Sequence, residues 1–301
     1  MTRAIITGPT GAIGTALIYE LIKNNIEVLA IIRPDSNRKQ NIKKSPLVSV
    51  LECSLDSLCK LKNETGKAFD VFYHFAWMGT TGKARNDMYL QNANVKFALD
   101  AVNAAKEFGC KRFVFAGSQA EYGRYNGKLT TQTPCFPENG YGIAKLCGEN
   151  MTKIYAEQLG IEHISARILS VYGPNDGSNT LISSLIHKLK NNIPVNTTAG
   201  EQIWDYLFSE DAALAFYLLG LRGISSKAYV LGSGSSRPLK DYILTAKEII
   251  NPNCQINFGA IPYAKNQVMH LEADISELER DLGFKCKTSF ENGIKIILKN
   301  C

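Results

Sequence analysis

IITGPTGAIGTALIYEL, residues 5–21, runs a β-branched segment into glycines at 8, 11 and 14 and then into an apolar helical pattern. Each glycine has a mechanical reason in that setting. The first allows a tight turn, the second lets the backbone approach a pyrophosphate, and the third lets the helix pack closely on the strand, with the anion at the helix N-terminus. By itself a glycine triplet is equally the mark of an ordinary glycine-rich turn. Its place between a strand and a helix, at the head of the chain, is the context that favours a dinucleotide-binding loop.

Working outward, short β-branched or aromatic runs begin near residues 3, 27, 47, 70, 112 and 163: RAIIT, EVLAIIR, LVSVLE, DVFYHFA, RFVFAGS and HISARIL. Between them lie the helical patterns GTALIYELIKNN, NVKFALDAVNAAKEF and GIAKLCGENMTKIYAEQLG. Apolar strands separated by crossover helices predict an α/β fold, a Rossmann-type doubly wound parallel sheet covered on both faces. After residue 172 the alternation weakens into YGPNDGSN, NNIPVNTTAGEQ and GSGSSRPLKD, which carry turn chemistry. We expect residues 1–172 to form the dinucleotide-binding domain, with 206–232 returning to it. Residues 173–205 and 233–301 are expected to form a smaller C-terminal substrate-binding region.

The chain has 301 residues, 45% of them hydrophobic, enough for a large core. No run approaches the roughly 18 consecutive apolar residues that a membrane-spanning helix needs. MTRAIITG at the start carries no long apolar leader. Eight cysteines (Cys53, Cys59, Cys110, Cys135, Cys147, Cys254, Cys286 and Cys301) are scattered without a C-x-x-C pair, which implies reduced thiols in a cytoplasmic protein. His74, His163, His187 and His270 are equally dispersed, so no metal site is expected. The net charge of +6 is mild and spread along the chain, which argues against a nucleic-acid surface and suits attraction of small anions.

In a dinucleotide site the second strand ends in an acid where the ribose 2′-hydroxyl is free. Here it ends AIIRPDSNRK, residues 30–39, with Arg33 in the acid's place and Arg38 and Lys39 following. That charge favours a 2′-phosphate and so NADP(H), with NAD(H) as the alternative. Asp35 offsets it slightly, and a solvated surface arginine is the plain reading of Arg33. Further on, YGIAK, residues 141–145, sets a tyrosine and a lysine on one face of a helix. Such spacing also arises by chance, the tyrosine packing and the lysine solvated. The pair nevertheless suits hydride movement at a carbinol carbon, where a proton must move on the oxygen. A tyrosine of ordinary acidity is a poor base at neutrality, and a lysine ammonium beside it favours the phenolate.

Further motifs carry a resemblance. TGPTGAIG reads as TGxxGxxG at Thr7, Gly8, Gly11 and Gly14, and HFAW at 74–77 resembles H-x-A-A. FAGSQAEYG resembles S-x-x-x-Y-G, RILSVYGP resembles R-x-x-N-V-Y-G-P, and ADISELERDLGF resembles AD-x-S-K-x-x-x-x-LG-[WF]. Over nearly its whole length the chain resembles the extended short-chain dehydrogenases/reductases, in their NAD-dependent epimerase/dehydratase branch. The resemblance implies Ser118, Tyr141 and Lys145 as catalytic residues, with Ser118 on the substrate oxygen and Lys145 also on the nicotinamide ribose. It implies cofactor contacts from Thr7, Gly8, Thr10, Gly11, Ala12, Ile13, Gly14, Arg33, Ser54, Leu55, Phe75, Ala76, Trp77, Asn94, Tyr141, Lys145 and Ile168, with Asn94 opening its helix. It also implies a nucleotide-diphosphate sugar as substrate, no nucleic-acid or membrane partner, and a homodimer packed through helices near 94–108 and 141–158.

Departures from the motifs are informative. Ser170 stands in the motif's asparagine position, Ser54 in that of an adenine-binding aspartate, and Trp204 of QIWDYLFSEDAA in that of a pyrophosphate-binding arginine. The arginine of an R-P-x-D segment is missing from PYAKNQVMHLEAD. Diphosphate recognition is therefore expected to pass to Arg237 or Lys188, while Trp204 reads equally as a core aromatic or as a surface on which the nucleotide or sugar stacks. The substrate pocket is expected beyond the strands' C-terminal ends, lined by Gln119, Asn179, Trp204 and Arg237. Dehydratases of this kind carry an Asp-Glu pair directly after the serine or threonine; Gln119 and Ala120 stand there instead, and Glu121 comes one residue too late. Reduction of a 4-keto sugar with Tyr141 as proton donor is the first expectation, since a reductase must exchange its cofactor and Arg33 favours NADPH. A 4-epimerase with retained NAD is the runner-up. A non-catalytic NADP-binding protein is a third reading, disfavoured by the intact Ser118, Tyr141 and Lys145.

Overall fold

Each of the six apolar runs forms a strand in the computed structural model, which describes residues 1–64 and 66–299. The first half comprises β1 (Arg3–Thr7), α1 (Ala12–Lys23), β2 (Glu27–Ile32), β3 (Val48–Glu52), β4 (Val71–His74), α2 (Met88–Glu107), β5 (Arg112–Ser118), β6 (Lys128–Leu129), α3 (Gly140–Gln158) and β7 (Glu162–Ile168). The second comprises β8 (Ser170–Tyr172), α4 (Leu181–Lys190), β9 (Val195–Asn196), β10 (Ile203–Phe208), α5 (Ser209–Arg222), β11 (Lys227–Leu231), β12 (Ser236–Pro238), α6 (Leu239–Ile250), β13 (Ile256–Asn257), β14 (His270–Ala273), α7 (Ser276–Leu282) and α8 (Phe290–Lys299).

The main sheet has seven strands in the order β11-β7-β5-β4-β1-β2-β3, and every pair in it is parallel. Both faces are buried, as parallel sheets require. Neighbouring residues of one strand serve opposite faces. Ile6 packs with Leu17 and Leu21 of α1 and Phe216 of α5, whereas Ile5 packs with Ala98 and Val102 of α2 and Phe113 of β5. Burying one such large side chain contributes about 1.5–3 kcal/mol, so the two layers carry most of the stability. Helix α2 begins at Met88, where the Asp87 carboxylate accepts from the Leu90 N–H at 3.1 Å. Asn94 therefore lies inside the helix and does not open it.

A second sheet runs β12-β10-β14-β6, with β8 paired to the other end of β10. Its cover is α4, α6 and α8, around Leu189, Tyr172, Phe208, Ile243 and Phe290. Residues 170–172 and 206–208 fall within the stretches read as the first domain, yet they pair with each other in this second sheet, Tyr206 opposite Ser170. Leu207 and Val171 nevertheless turn into the first sheet's core, so the two layers share residues. A short β13-β9 pair completes the strands.

Asp205 locks the two sheets together. Fully buried on β10, its carboxylate accepts from the N–H and hydroxyl of Ser233 (2.8 and 2.6 Å) and from the N–H groups of Gly234 (3.1 Å) and Ala273 (3.3 Å). Ser233 and Gly234 follow β11 of the main sheet, and Ala273 ends β14 of the second. Seven cysteines are free thiols, and Cys301 lies outside the described residues. Among the described residues no helix is long and apolar enough to cross a membrane, and no cluster of side chains suits a metal ion.

Replacing Asp205 by Ala leaves several buried donors without an acceptor, each worth about 1–3 kcal/mol. The unfolding free energy from urea titration should fall accordingly, by about 3 kcal/mol in total or more; a change within about 0.5 kcal/mol, as at an ordinary surface site, would show that the carboxylate is no clamp.

Candidate active site

Strand order reverses between β1 and β4, which places a crevice beyond their C-terminal ends. The glycine loop enters it from β1. Gly8 has φ +69°, and a Cβ there would stand 2.9 Å from the Ala76 nitrogen; a Cβ on Gly14 would stand 2.4 Å from the Gly8 oxygen. Gly11 is different, since nothing lies within 4 Å of a Cβ built on it. It is the N-cap of α1, where no side chain caps the helix, so the first N–H groups remain for a bound anion. The loop thus fits a dinucleotide pyrophosphate. Thr7 ties it to β4, its hydroxyl 2.9 Å from His74 Nδ1 and accepting from the Ala76 N–H at 3.3 Å. Burial pulls the His74 pKa down to about 3, so the ring stays neutral.

At the end of β2 the three basic residues separate. Lys39 bonds Glu52 at 2.6 Å, because the β2–β3 register sets Glu52 beside Ile32. Arg38 donates to the Asn175 carbonyl. Arg33 stays largely exposed, 3.7 Å from a still more exposed Asp35, and Lys39 is exposed beside Glu52. Parallel pairing, which brings Glu52 to Lys39, thus offsets part of the positive cluster read from the sequence. Nearby, the Thr10 carbonyl accepts from Asn41 at 3.1 Å, and the Ser54 hydroxyl, just before Leu55, donates to Asp56.

Ser118 ends β5 and is buried. Its hydroxyl accepts from the Ala120 N–H at 3.2 Å, and its own N–H donates to Glu121 Oε1 at 2.6 Å. Arg167 of β7 holds Glu121 Oε2 at 3.1 Å and Glu149 Oε1 at 2.8 Å, all three buried. Burial, and then the Glu149 charge, push the Glu121 carboxyl well above its usual range. Helix α3 starts close by because Asn139 caps it, accepting from the Gly142 N–H at 2.9 Å. Gly142 permits the approach, as a Cβ there would stand 2.2 Å from the Ala120 oxygen. Tyr141 and Lys145 thus occupy the first two turns beside Ser118.

Lys145 is buried, donates from Nζ to the Ala116 carbonyl at 2.7 Å, and lies 4.0 Å over the Trp77 ring but 5.9 Å from that of Tyr141. Burial pulls its pKa down to about 7, with Glu121 opposing. Burial also raises the Tyr141 phenol, with a Ser118 hydrogen bond and the Arg85 charge opposing. Arg85 is the cation closer to the Tyr141 ring, 4.3 Å from its centroid. Lys145 thus stands on the same face as Tyr141, with its ammonium turned under the end of β5 toward a carbonyl.

One cavity of about 180 Å³ is lined by Ser118, Tyr141 and Lys145 together with Ile13, Phe75, Trp77 and Ile168. Asn94 stays beneath it, accepting from the Met78 N–H and donating to the Met78 carbonyl, both at 2.9 Å. The four residues expected to line the substrate pocket are not gathered there. Gln119 follows Ser118 but does not line the cavity, and Asn179 is exposed ahead of α4. Trp204 donates to the Ser170 hydroxyl at 2.8 Å. Arg237 pairs with Glu291 at 2.9 Å, lies 4.2 Å over the Tyr242 ring, and lines a separate cavity of about 450 Å³ with Tyr206, Ser233 and Ser235. Lys188 is half-buried on α4. Sequence reasoning did not single out Arg85, or Gln91, which bonds Trp77 Nε1 at 2.9 Å and the Gly79 and Ala84 carbonyls at 3.0 and 2.9 Å. Neither carries a local pattern. Glu121 did have one signal, a carboxylate next to the motif serine.

The chain is 27% identical over 303 residues to CDP-abequose synthase of Salmonella typhimurium, covering 98% of this chain and 97% of that protein. It is 26% identical over 315 residues to dTDP-4-dehydro-6-deoxyglucose reductase of Escherichia coli, covering 98% and 96%. The fold matches UDP-glucuronic acid 4-epimerase of Bacillus cereus, solved with UDP-glucuronic acid and NAD, with a TM-score of 0.86, 22% identity, and coverage of 99% and 98%. A chain whose glycine cradle and tyrosine–lysine helix meet at the switch point of a seven-stranded parallel sheet, and whose residues 4–232 match the NAD dependent epimerase/dehydratase family, belongs to that family.

Proposed function

We propose that the protein reduces a 4-keto group on a nucleotide-diphosphate sugar, using NADPH and taking the proton from Tyr141. The observation that carries this reading is Arg33, left exposed where β2 ends, with no carboxylate on that strand's last residue. A guanidinium there suits a 2′-phosphate, and a reductase exchanges its cofactor each turnover. Similarity to a 4-dehydro-sugar reductase over nearly the whole chain supports the same reading.

When bound, the nicotinamide supplies a hydride to the carbonyl carbon. The glycine loop would hold its pyrophosphate, and Lys145 its ribose. Ser118 would donate to the carbonyl oxygen, stabilising the charge that develops there, while Tyr141 passes its phenolic proton to the same oxygen. Trp77, Phe75 and Ile168 line the cavity with apolar surface and would keep water from it. We assign the substrate's nucleotide end to the region after residue 172, with Gln119, Asn179, Trp204 and Arg237 along its path. Free thiols suit a cytoplasmic location. Exposed Tyr89, Ile143, Met151 and Ile154 on α2 and α3 suit a homodimer.

A second reading, a 4-epimerase with retained NAD, is favoured by the two carboxylates near the ribose end, Asp35 by Arg33 and Glu52 on Lys39. Native mass spectrometry of freshly purified protein separates the two: retained NAD means epimerase, an empty site that fills with NADPH means reductase.

Two further outcomes are expected. NADPH should bind more tightly than NADH by about 1.5–3 kcal/mol, the worth of one charge-assisted contact, and Arg33→Asp should reverse the order. Equal or better NADH binding by the unmodified protein would remove the main support for a reductase. Tyr141→Phe should keep the fold and cofactor binding while turnover of a 4-keto sugar nucleotide drops roughly 10²- to 10⁴-fold, the usual worth of a general acid. Near-normal turnover by that variant would make Tyr141 a packing residue.

A further inference from the structure

We propose that Arg85, contributed by the segment after β4, is a second cation that, with Lys145, stabilises negative charge on Tyr141 and holds its ring at the mouth of the site. This rests on the functional reading above, which makes Tyr141 the proton donor. The guanidinium lies 4.3 Å from the ring centroid, and a cation over a phenol is attracted more strongly once the phenol is ionised. Nothing else claims its charge: among the described residues Arg85 has no ion-pair partner, and its Nη1 donates only to the Thr80 carbonyl, at 2.9 Å. The segment is anchored against α3 on both sides of the guanidinium. Asn86 Oδ1 accepts from the Gly140 N–H at 2.9 Å, and a Cβ on Gly140 would stand 3.0 Å from the Arg85 carbonyl oxygen. Gln91 ties down its start through the Gly79 and Ala84 carbonyls.

The other groups facing Tyr141 act differently. The Ser118 hydroxyl favours ionisation of the phenol, and the buried Glu121 carboxyl opposes it. Lys145, on the same helix, is turned to the Ala116 carbonyl. Arg85 is thereby a positioning residue, acting through Tyr141 and not on the substrate itself.

The test is a tyrosinate absorbance titration of the unmodified protein, Arg85→Met and Arg85→Lys. Each is read as the difference from its Tyr141→Phe counterpart, which isolates one phenol among 13 tyrosines. Losing a cation at this distance should move the Tyr141 titration upward by about one pH unit, and lysine should restore most of that. The pH profile of turnover should move in the same direction. Arg85→Gln keeps a donor for Thr80 and gives the same reading should the methionine variant not fold. An unmoved Tyr141 titration in a folded Arg85→Met or Arg85→Gln protein, or a lysine variant no better than methionine, would overturn the assignment. If Tyr141→Phe itself keeps normal turnover, the functional reading fails instead, and the titration still reports on Arg85.

Discussion

A guanidinium buried between two carboxylates fixes the spacing of the candidate site. Arg167 on β7 reaches Glu121 just after β5 and Glu149 on α3, so one side chain ties two adjacent strands of the sheet to the helix that carries Tyr141 and Lys145. Glu121 then passes the constraint to Ser118 through its backbone N–H. Such a cluster is costly to assemble and costly to break: removing one partner of a buried ion pair typically loses about 3–5 kcal/mol, because the remaining charge has no water to turn to. Burial, and then the Glu149 charge, raise the Glu121 carboxyl within this cluster.

The same economy of charge appears where the chain departs from its family's motifs. Trp204 and Ser170, each replacing a more polar motif residue, are bonded to one another, indole N–H to hydroxyl. Two substitutions 34 residues apart are thus one contact, set by the pairing of β8 with β10. Arg237 stands directly across from Trp204 on β12, with its guanidinium shared between Glu291 and the Tyr242 ring. This face of the second sheet is therefore more aromatic and less cationic than the motifs imply. A diphosphate binding there would have to compete with Glu291 for Arg237.

Much of the architecture was legible in the chain because it depends on local chemistry. Ile5 and Ile6 must face opposite ways in any strand, Gly8 and Gly14 sit where a Cβ would strike backbone, and an i, i+4 spacing sets Tyr141 and Lys145 on one side of a helix. Six of the seven strands of the first half, the glycine loop and the shared face of Tyr141 and Lys145 all follow from such rules. Asn94 marks their limit: the motif suggested a helix start, but the Asp87 carboxylate caps the backbone two turns earlier.

What the local pattern could not supply was the aim of each side chain. Lys145 shares a helix face with Tyr141, yet its ammonium goes to the Ala116 carbonyl, because burial makes a fixed acceptor worth more than proximity to a phenol. Lys39 looked free until strand register brought Glu52 to it, and Arg85 looked like any loop arginine until the segment after β4 folded over α3. Composition and spacing therefore specified the fold and which side chains share the candidate site, since both rest on short-range sterics and periodicity. The charges around those side chains were assigned by long-range pairing, because electrostatic partners are chosen by distance in space and by burial, neither of which is written in residue order.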